Sequence, residues 1–150
     1  MKCSMAAMKE NIDPRMHSAE HILNQTMIRM FNCGRCFSAH IEKKKSKCDY
    51  HFDRTLTEEE VKMIENKINE IINSNLELND EFITLEEAKT KFDLKRVPDG
   101  QGKIRIVRIG DYDATTCIGQ HVKNTSEIGR FKIISSNYDE GVLRIRYKLQ

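Results

Sequence analysis

The spacing of apolar residues changes along this chain from the period of a helix to the period of a strand. After the capping box of Thr57 and Glu60, apolar residues recur at helical spacing up to Ile72, which predicts an amphipathic helix. Between Leu143 and Leu149, apolar residues alternate with basic ones, which predicts a strand with one buried and one basic face. The fold must therefore pack helices against a sheet.

The remaining patterns predict an α+β domain. Asp13 and Pro14 are typical of a helix N-cap and first position, and Asn32 and Gly34 indicate that this helix ends near Phe31. Because hairpin-length turns separate the later strands, we predict a single compact domain with a largely antiparallel sheet packed by helices. Further strands are predicted at 37–41, 49–53, 104–109, 114–117 and 130–136, a short helix after a second capping box at 84–92, and turns at 42–47 and at Pro98-Asp99-Gly100.

Length and composition restrict where such a domain can work. The 150 residues suit one domain, which we place at 14–150 after a flexible N-terminal lead-in at 1–13. No apolar run approaches the roughly 20 residues of a membrane helix, and no secretory signal is evident, so no membrane partner is expected. The odd number of cysteines, 5, excludes a fully paired disulfide framework and favours a reducing, cytoplasmic location.

Four residues with metal-binding side chains stand in two closely spaced pairs. His17 and His21 are one helical turn apart on the first predicted helix, so both imidazoles face the same side. Cys117 and His121 flank Gly119, which we expect to let the backbone turn tightly so that both side chains converge. Three imidazoles and a thiolate complete the tetrahedron that zinc prefers. The pattern is typical of one zinc ion, Zn²⁺, joining the first helix to a late strand and turn, but spacing alone leaves open the alternative of partly exposed histidines that bind no metal.

A second metal candidate is the segment Cys33-Gly34-Arg35-Cys36. A C-x-x-C pair binds zinc or works in redox chemistry, but this one has no matching second pair and no thioredoxin-like βαβ opening. We interpret it as two cysteines near a turn with no shared metal. Glu20 is interpreted as a solvated helix position, because its order with His21 is not the H-E-x-x-H of zinc proteases.

The residues around both pairs resemble those of one family. His17-Ser18-Ala19-Glu20-His21-Ile22-Leu23 is similar to the H-T/S-A-x-H-I/L-L signature of alanyl-tRNA synthetase editing domains and of their free-standing relatives, the AlaX proteins. In the second half, the family's GD(F/Y), C-G-G-T-H-V and NT(G/S)EIG are matched in the same order by Gly110-Asp111-Tyr112, Cys117-Ile118-Gly119-Gln120-His121-Val122 and Asn124-Thr125-Ser126-Glu127-Ile128-Gly129. The resemblance runs from about Pro14 to Leu149 and is closest to the short, editing-only form.

This resemblance implies a zinc-dependent hydrolase that edits mischarged tRNA in trans. The expected cargo is serine, or glycine, wrongly attached to tRNA(Ala). The chain has no room for a synthetase ATP-binding domain, so ATP and amino-acid activation are not expected. Ile118 and Gln120 replace the family's Gly and Thr, which leaves two alternatives open. One is a non-catalytic, zinc-stapled module that binds tRNA, and the other is a deacylase for Ser-tRNA(Thr), whose related editing domain also varies here.

Substrate contacts are predicted at the amino-acid pocket and along the RNA. Ser38, Gly119 and Gln120 are expected to shape the pocket, because relatives form it near the corresponding segments. The tRNA acceptor end requires positive charge along its phosphates, and the net charge of +2 means that a local patch must supply it. Two clusters are candidates, each with the alternative interpretation of an ordinary solvated surface: Lys43, Lys44, Lys45 and Lys47 in the charged turn, and Arg144, Arg146 and Lys148 on the last strand.

Overall fold

The computed structural model of the chain describes residues 12–92, 94 and 102–150. The turn expected at Pro98-Asp99-Gly100 and nearly all of the lead-in expected at 1–13 lie outside the described residues. The described elements are, in chain order, α1 (Pro14–Phe31), β1 (Ser38–His40), β2 (Ser46–His51), α2 (Glu58–Ile72), β3 (Leu78–Thr84), α3 (Leu85–Lys91), β4 (Lys103–Ile109), β5 (Asp113–Thr116), a short 3-10 helix (Thr125–Glu127), β6 (Phe131–Asp139) and β7 (Val142–Leu149).

Local capping chemistry determines where the two long helices begin. The Asp13 carboxylate accepts hydrogen bonds from two amides of the first turn of α1, and Pro14 takes the first helical position. The helix ends at Asn32, whose backbone is left-handed with a φ of 54°. Thr57 and Glu60 form both hydrogen bonds of the capping box that starts α2. These boundaries agree with the sequence predictions.

The strands form two antiparallel sheets. The larger sheet has the order β1-β2-β7-β6 and the smaller has the order β3-β4-β5. The predicted α+β class with antiparallel pairing is therefore confirmed, but the sequence patterns predict one sheet where there are two. The strand β3 is absent from the predictions because most of its residues are polar and exposed, so it has no alternating apolar signal. None of the described helices has the length and hydropathy needed to cross a membrane.

Two strand boundaries differ from the predictions near residues of interest. The strand β2 begins at Ser46, so Lys47 lies in the sheet, opposite Arg146 of β7, and not in the charged turn. The strand β5 ends at Thr116, which pairs with Ile106, so Cys117 begins the loop that follows. In both places cross-strand pairing, which a local pattern does not show, determines the boundary.

The helix α1 is enclosed by the rest of the domain. On one side Ile22 and Met27 are fully buried in the main hydrophobic core. Another side is equally buried but carries His17, Glu20 and His21. Buried polar side chains need partners, and this polar side of α1 is where the candidate site lies.

Candidate metal centre

Two helix histidines meet two loop residues in the interior of the domain. The helix α1 supplies His17 and His21, and the loop after β5 supplies Cys117 and His121. One donor atom from each of the four lies within 4.8 Å of the other three. The three imidazole centroids are 5.0, 4.2 and 4.4 Å apart. The fold thus brings together the four side chains that the sequence proposes as ligands.

The donor set fits zinc in size and in chemistry. Zinc–nitrogen distances are about 2.0–2.1 Å and zinc–sulfur distances about 2.3 Å, so a nitrogen and the sulfur on one ion are at most about 4.4 Å apart. The spread of up to 4.8 Å is close to this limit. The Nε2 atom of His121 is buried and has no hydrogen-bond partner in the described part of the chain. A buried nitrogen of this kind needs a partner for its lone pair, and a cation among the four donors would provide one.

The loop determines the orientation of His17. A carbonyl oxygen can only accept, so Nδ1 of His17 carries the proton that it donates to the Gln120 carbonyl, 3.0 Å away. In a neutral imidazole the lone pair is then on Nε2, which lies 3.4 Å from the Cys117 sulfur. A hydrogen bond from the other ring nitrogen is the usual way in which proteins orient a metal-binding histidine.

Ser18 orients His121 from the opposite side. Nδ1 of His121 lies 3.0 Å from Ser18 Oγ, and that oxygen also accepts a hydrogen bond from the Val122 amide at 3.2 Å. Burial, together with positive charge on His21, holds the pKa of His121 down at about 3. The His121 imidazole is therefore neutral at physiological pH, which is the form that binds a metal ion.

Asp113, the first residue of β5, faces His21. Its Oδ2 lies 3.7 Å from His21 Nδ1. Arg35 binds both oxygens of the Asp113 carboxylate, at 2.9 and 3.0 Å. Burial acts to lower the pKa of His21, but Cys117 and Asp113 together outweigh it and raise this pKa to about 10. The surroundings of His21 therefore favour positive charge.

Sequence reasoning missed this carboxylate and its arginine. Asp113 and Arg35 are far apart in the chain, and no motif spacing connects them. Burial alone would raise the pKa of Asp113, but Arg35 and His21 hold it well below its usual range. The sequence offered one signal. Arg35 is a charged residue between the end of the first helix and the first strand, and a charge at such a junction suggests an oppositely charged partner elsewhere in the chain.

Gly119 has a different role from the one expected. It is not among the described residues with positive φ, so the turn does not require the backbone freedom of glycine. A Cβ atom at this position would overlap Cε1 of His17 and lie 2.7 Å from its Nδ1. Glycine is needed here because the loop passes directly against the imidazole.

Arg105 of β4 holds the same loop from the smaller sheet. Its Nη1 donates hydrogen bonds to the carbonyls of Cys117 and Gly119, at 3.1 and 2.7 Å. Its Nε donates to Asp80 at 2.7 Å. Because one guanidinium satisfies two loop carbonyls, it fixes the backbone on either side of Ile118. In the sequence Arg105 is indistinguishable from the other charged residues that alternate along β4.

The two cysteines of the C-x-x-C segment do not share a group of potential metal ligands, although Cys36 belongs to a second such group with Glu20 and Cys48. Among the described residues, Cys33 belongs to neither of the two groups of potential metal ligands, and no disulfide joins it to Cys36. The Cys36 thiol is buried and donates to Glu20 at 3.3 Å. Glu20 itself is 1% exposed, so the interpretation of Glu20 as a solvated position is wrong. The surrounding strands cover the side of α1 on which it lies.

The outer edge of the centre is formed by the loop. Ile118 is 46% exposed and Gln120 is also exposed, whereas Cys117 and Gly119 are buried. The two residues that depart from the C-G-G-T-H motif therefore turn outward, and neither takes the place of one of the four donors. Ser38 is half-buried at the start of β1.

The two basic clusters differ in how their charges are used. The lysines at 43–45 are exposed in the turn before β2. On β7 the buried and basic positions alternate as predicted. Arg144, however, donates two hydrogen bonds to Asp49, at 2.7 and 2.9 Å, and Arg146 donates to Asn137 at 3.2 Å. The charge of Arg144 is therefore partly neutralised within the protein. Lys148 lies opposite Lys132 of β6.

Together these features define a small α+β domain with a candidate metal centre of three histidines and one cysteine between a helix and a loop. A family model described as "Threonyl and Alanyl tRNA synthetase second additional domain" matches residues 104–146. The matched segment extends from β4 into β7 and contains Cys117 and His121.

Alanine–tRNA ligases from several organisms are similar to most of the chain. That of Aeropyrum pernix is 33% identical over 140 residues, which are 89% of this chain and 15% of the ligase. That of Coxiella burnetii is 36% identical over 135 residues (87% and 16%), and that of Saccharolobus islandicus is 34% identical over 139 residues (89% and 15%). The chain thus spans about 15% of the length of these relatives. It is similar to the threonyl- and alanyl-tRNA synthetase second additional domain and to alanine–tRNA ligases, as its motifs predict.

Proposed function

We propose that this chain is a zinc-dependent aminoacyl-tRNA deacylase, with residues 14–150 as the editing domain and the cytoplasm as its place of action. It would hydrolyse the ester between a wrong amino acid and the 3′-terminal ribose of tRNA. The observation that carries the proposal is the convergence of His17, His21, Cys117 and His121 within 4.8 Å, in a chain related to synthetase editing domains.

The residues of the chain divide the work of such a site. His17, His21, Cys117 and His121 would hold the zinc ion, which when bound polarises a carbonyl or lowers the pKa of a water molecule. An aminoacyl ester is already activated, so positioning beside the metal supplies much of the remaining help. Gln120 lies between Cys117 and His121 in the sequence and is exposed. Its side-chain amide can donate a hydrogen bond to the incoming ester or accept one from it.

The cargo we propose is serine on tRNA(Ala), with glycine on the same tRNA as a second substrate. We expect purified protein to release serine from Ser-tRNA(Ala) faster than alanine from Ala-tRNA(Ala). A hydroxyl recognised by a well-placed polar group gives large discrimination, and half-buried Ser38 is the proposed group. Release of labelled amino acid from Ser-, Gly- and Ala-tRNA(Ala) and from Ser-tRNA(Thr) measures this. Equal rates for serine and alanine would contradict the specificity, and a preference for Ser-tRNA(Thr) would reassign the tRNA.

A second candidate function is a zinc-stapled module that binds tRNA without hydrolysing it. The convergence of four protein donors favours it, since four protein ligands are usual for structural zinc, whereas catalytic zinc keeps a position open. The exposure of Ile118 and Gln120 on the loop favours the deacylase. These two residues, which stand where the family has Gly and Thr, turn outward and leave the four donors in place. The same assay separates the two functions. The module would bind Ser-tRNA(Ala), but the ester would then hydrolyse only at the uncatalysed rate.

We propose that the basic face of β7 binds the tRNA backbone. Arg144 and Arg146 are the source of positive charge in a groove of about 600 Å³, whose lining also includes Phe37 and three carboxylates, those of Asp49, Asp139 and Glu140. Replacing both arginines with alanine should weaken tRNA binding at low salt and leave the zinc content unchanged, because phosphate contacts carry little sequence information. The loss should shrink as salt rises and screens the same charges, with the salt slope reduced by about 1 to 2.

Titration of labelled tRNA at several salt concentrations tests this groove. Arg108→Ala is the control, because Arg108 is also a strand arginine paired with a carboxylate, that of Glu81, but lies on the smaller sheet. Its affinity should stay near that of the unmodified chain. Equal affinity and equal salt slope in the Arg144/Arg146 variant would show that this face points away from the RNA.

A further inference from the structure

Phe82 is the most exposed large apolar side chain among the described residues. It is 62% exposed and lies on β3, an outer strand of the smaller sheet. It belongs to neither hydrophobic cluster of the part of the chain that the structure describes. A single exposed apolar side chain is ordinary on a protein surface, so the position of Phe82 in the fold decides whether it has a role.

Phe82 lies in one row of the sheet with a proposed metal ligand. It pairs with Arg105 of β4, and the Arg105 carbonyl accepts a hydrogen bond from the Cys117 amide at 3.3 Å. Neighbouring strands are about 4.8 Å apart, so the backbone of Phe82 is about 10 Å from that of Cys117. Residues directly opposite each other point to the same face of a sheet, so Phe82 and Cys117 share one face.

This face of the smaller sheet is covered at one end and open at the other. At the covered end, Asp113 pairs with Ile109 of the main core and lies 3.7 Å from His21 of α1. At the open end, Asp80 and Phe82 are exposed on β3. The metal centre therefore lies at the boundary between the covered and the open part of the face.

Two neighbours of Phe82 add an apolar surface and a positive charge. Ile118, 46% exposed, lies between the two carbonyls that Arg105 binds. Lys103, two residues before Arg105 on β4 and thus on the same face, is exposed and takes part in none of the salt bridges among the described residues. An unpaired nucleotide complements this surface, because its base stacks on aromatic rings and its phosphate attracts lysine.

We propose that Phe82 is a stacking platform for the base of the terminal adenosine of tRNA, with Lys103 beside the phosphate of that nucleotide. This inference rests on the proposed function, in which the amino acid is esterified to the ribose of the same nucleotide. The base must then bind within one nucleotide of the metal centre, on a surface such as the face that Phe82 and Cys117 share. Stacking tolerates any base, so Phe82 positions the ester and leaves the choice of tRNA to other contacts.

Two synthetic RNA hairpins test the platform without hydrolysis. One is the acceptor stem of tRNA(Ala) ending in CCA, and the other carries an abasic terminal nucleotide that keeps the phosphate. The unmodified chain should bind the complete hairpin about 5- to 150-fold more tightly, the contribution of one stacked base. Phe82→Ala should bind both hairpins with equal affinity, whereas Phe82→Tyr, which keeps the ring, should retain the difference. Lys103→Ala should weaken both hairpins alike, because both keep the phosphate.

Met63→Ala is the control, because Met63 is also an exposed apolar residue, at 55%, but lies on α2. It should bind both hairpins like the unmodified chain, and every variant should keep its zinc content. Equal binding of the two hairpins by the unmodified chain, or an undiminished difference in Phe82→Ala, would overturn the platform. A base-dependent affinity in a chain that leaves Ser-tRNA(Ala) intact would support the platform and overturn the deacylase alone. Failure to bind either hairpin would overturn both.

Discussion

A chain with His17→Ala and His121→Ala should purify with almost no zinc, while the unmodified chain should carry close to one zinc ion per molecule. The reason is geometric. His17 lies on α1 and His121 on the loop after β5, so the double variant removes one donor from each side of the centre and leaves only His21 and Cys117. Two protein donors do not hold zinc against a chelator in the way that three or four do. Elemental analysis of the protein after dialysis measures the occupancy.

A control variant tests whether the thiols of the C-x-x-C segment hold metal instead. Cys33→Ser should keep its zinc, because Cys33 lies next to the Met27 carbonyl and belongs to neither of the groups of potential ligands among the described residues. Stoichiometric zinc in the double histidine variant would falsify the proposed site. Zinc that disappears with Cys33→Ser would place the metal at the C-x-x-C pair.

The sequence was sufficient for the parts of the fold that rest on local chemistry. Asp13 with Pro14 and Thr57 with Glu60 mark helix starts because capping groups act within one turn of their own position. The alternation along β7 is readable for a similar reason, since one face of that strand lies on the core. The strand β3 was not predicted, because both of its faces are largely exposed and it therefore has no alternating apolar pattern. Its pairing with β4, which is distant in the sequence, defines it as a strand.

The sequence predicted the four donor residues of the candidate site, but not the burial and the charged contacts that surround them. Histidines one helical turn apart, and a cysteine and histidine around a glycine, are visible as spacing. The burial of Glu20 was not, because periodicity separates the faces of a helix only when one of them meets water, and α1 is covered on both. Nor could the contact of Asp113 with Arg35 and His21 be read from the chain, because it joins three separate segments. Such contacts decide the electrostatics of the centre, and only the fold reveals them.

Gly119→Ala should cost the centre most of its metal affinity although it removes no ligand. The added Cβ would overlap Cε1 of His17 and lie 2.7 Å from Nδ1, so either the imidazole or the loop must move. The imidazole is held by its hydrogen bond to the Gln120 carbonyl at 3.0 Å, and the loop is held by Arg105 at 2.7 Å from the Gly119 carbonyl. Either movement breaks a contact that positions a donor, and we expect zinc affinity to fall by about 10- to 100-fold.

Gly34→Ala is the matched control for this substitution. No atom lies within 4 Å of a Cβ built at Gly34, and its φ is not in the left-handed region. Both variants add one methyl group to a glycine, so chelator competition on the two proteins separates a general effect of losing glycine from the specific crowding of His17. Urea unfolding of the metal-free chains adds a second comparison, in which the overpacked Gly119→Ala should be destabilised by about 1–3 kcal/mol and Gly34→Ala should not. Equal zinc affinity in Gly119→Ala and Gly34→Ala would mean that the loop moves away from His17 freely, and that Cys117 and His121 are not held in place by the contacts of Arg105.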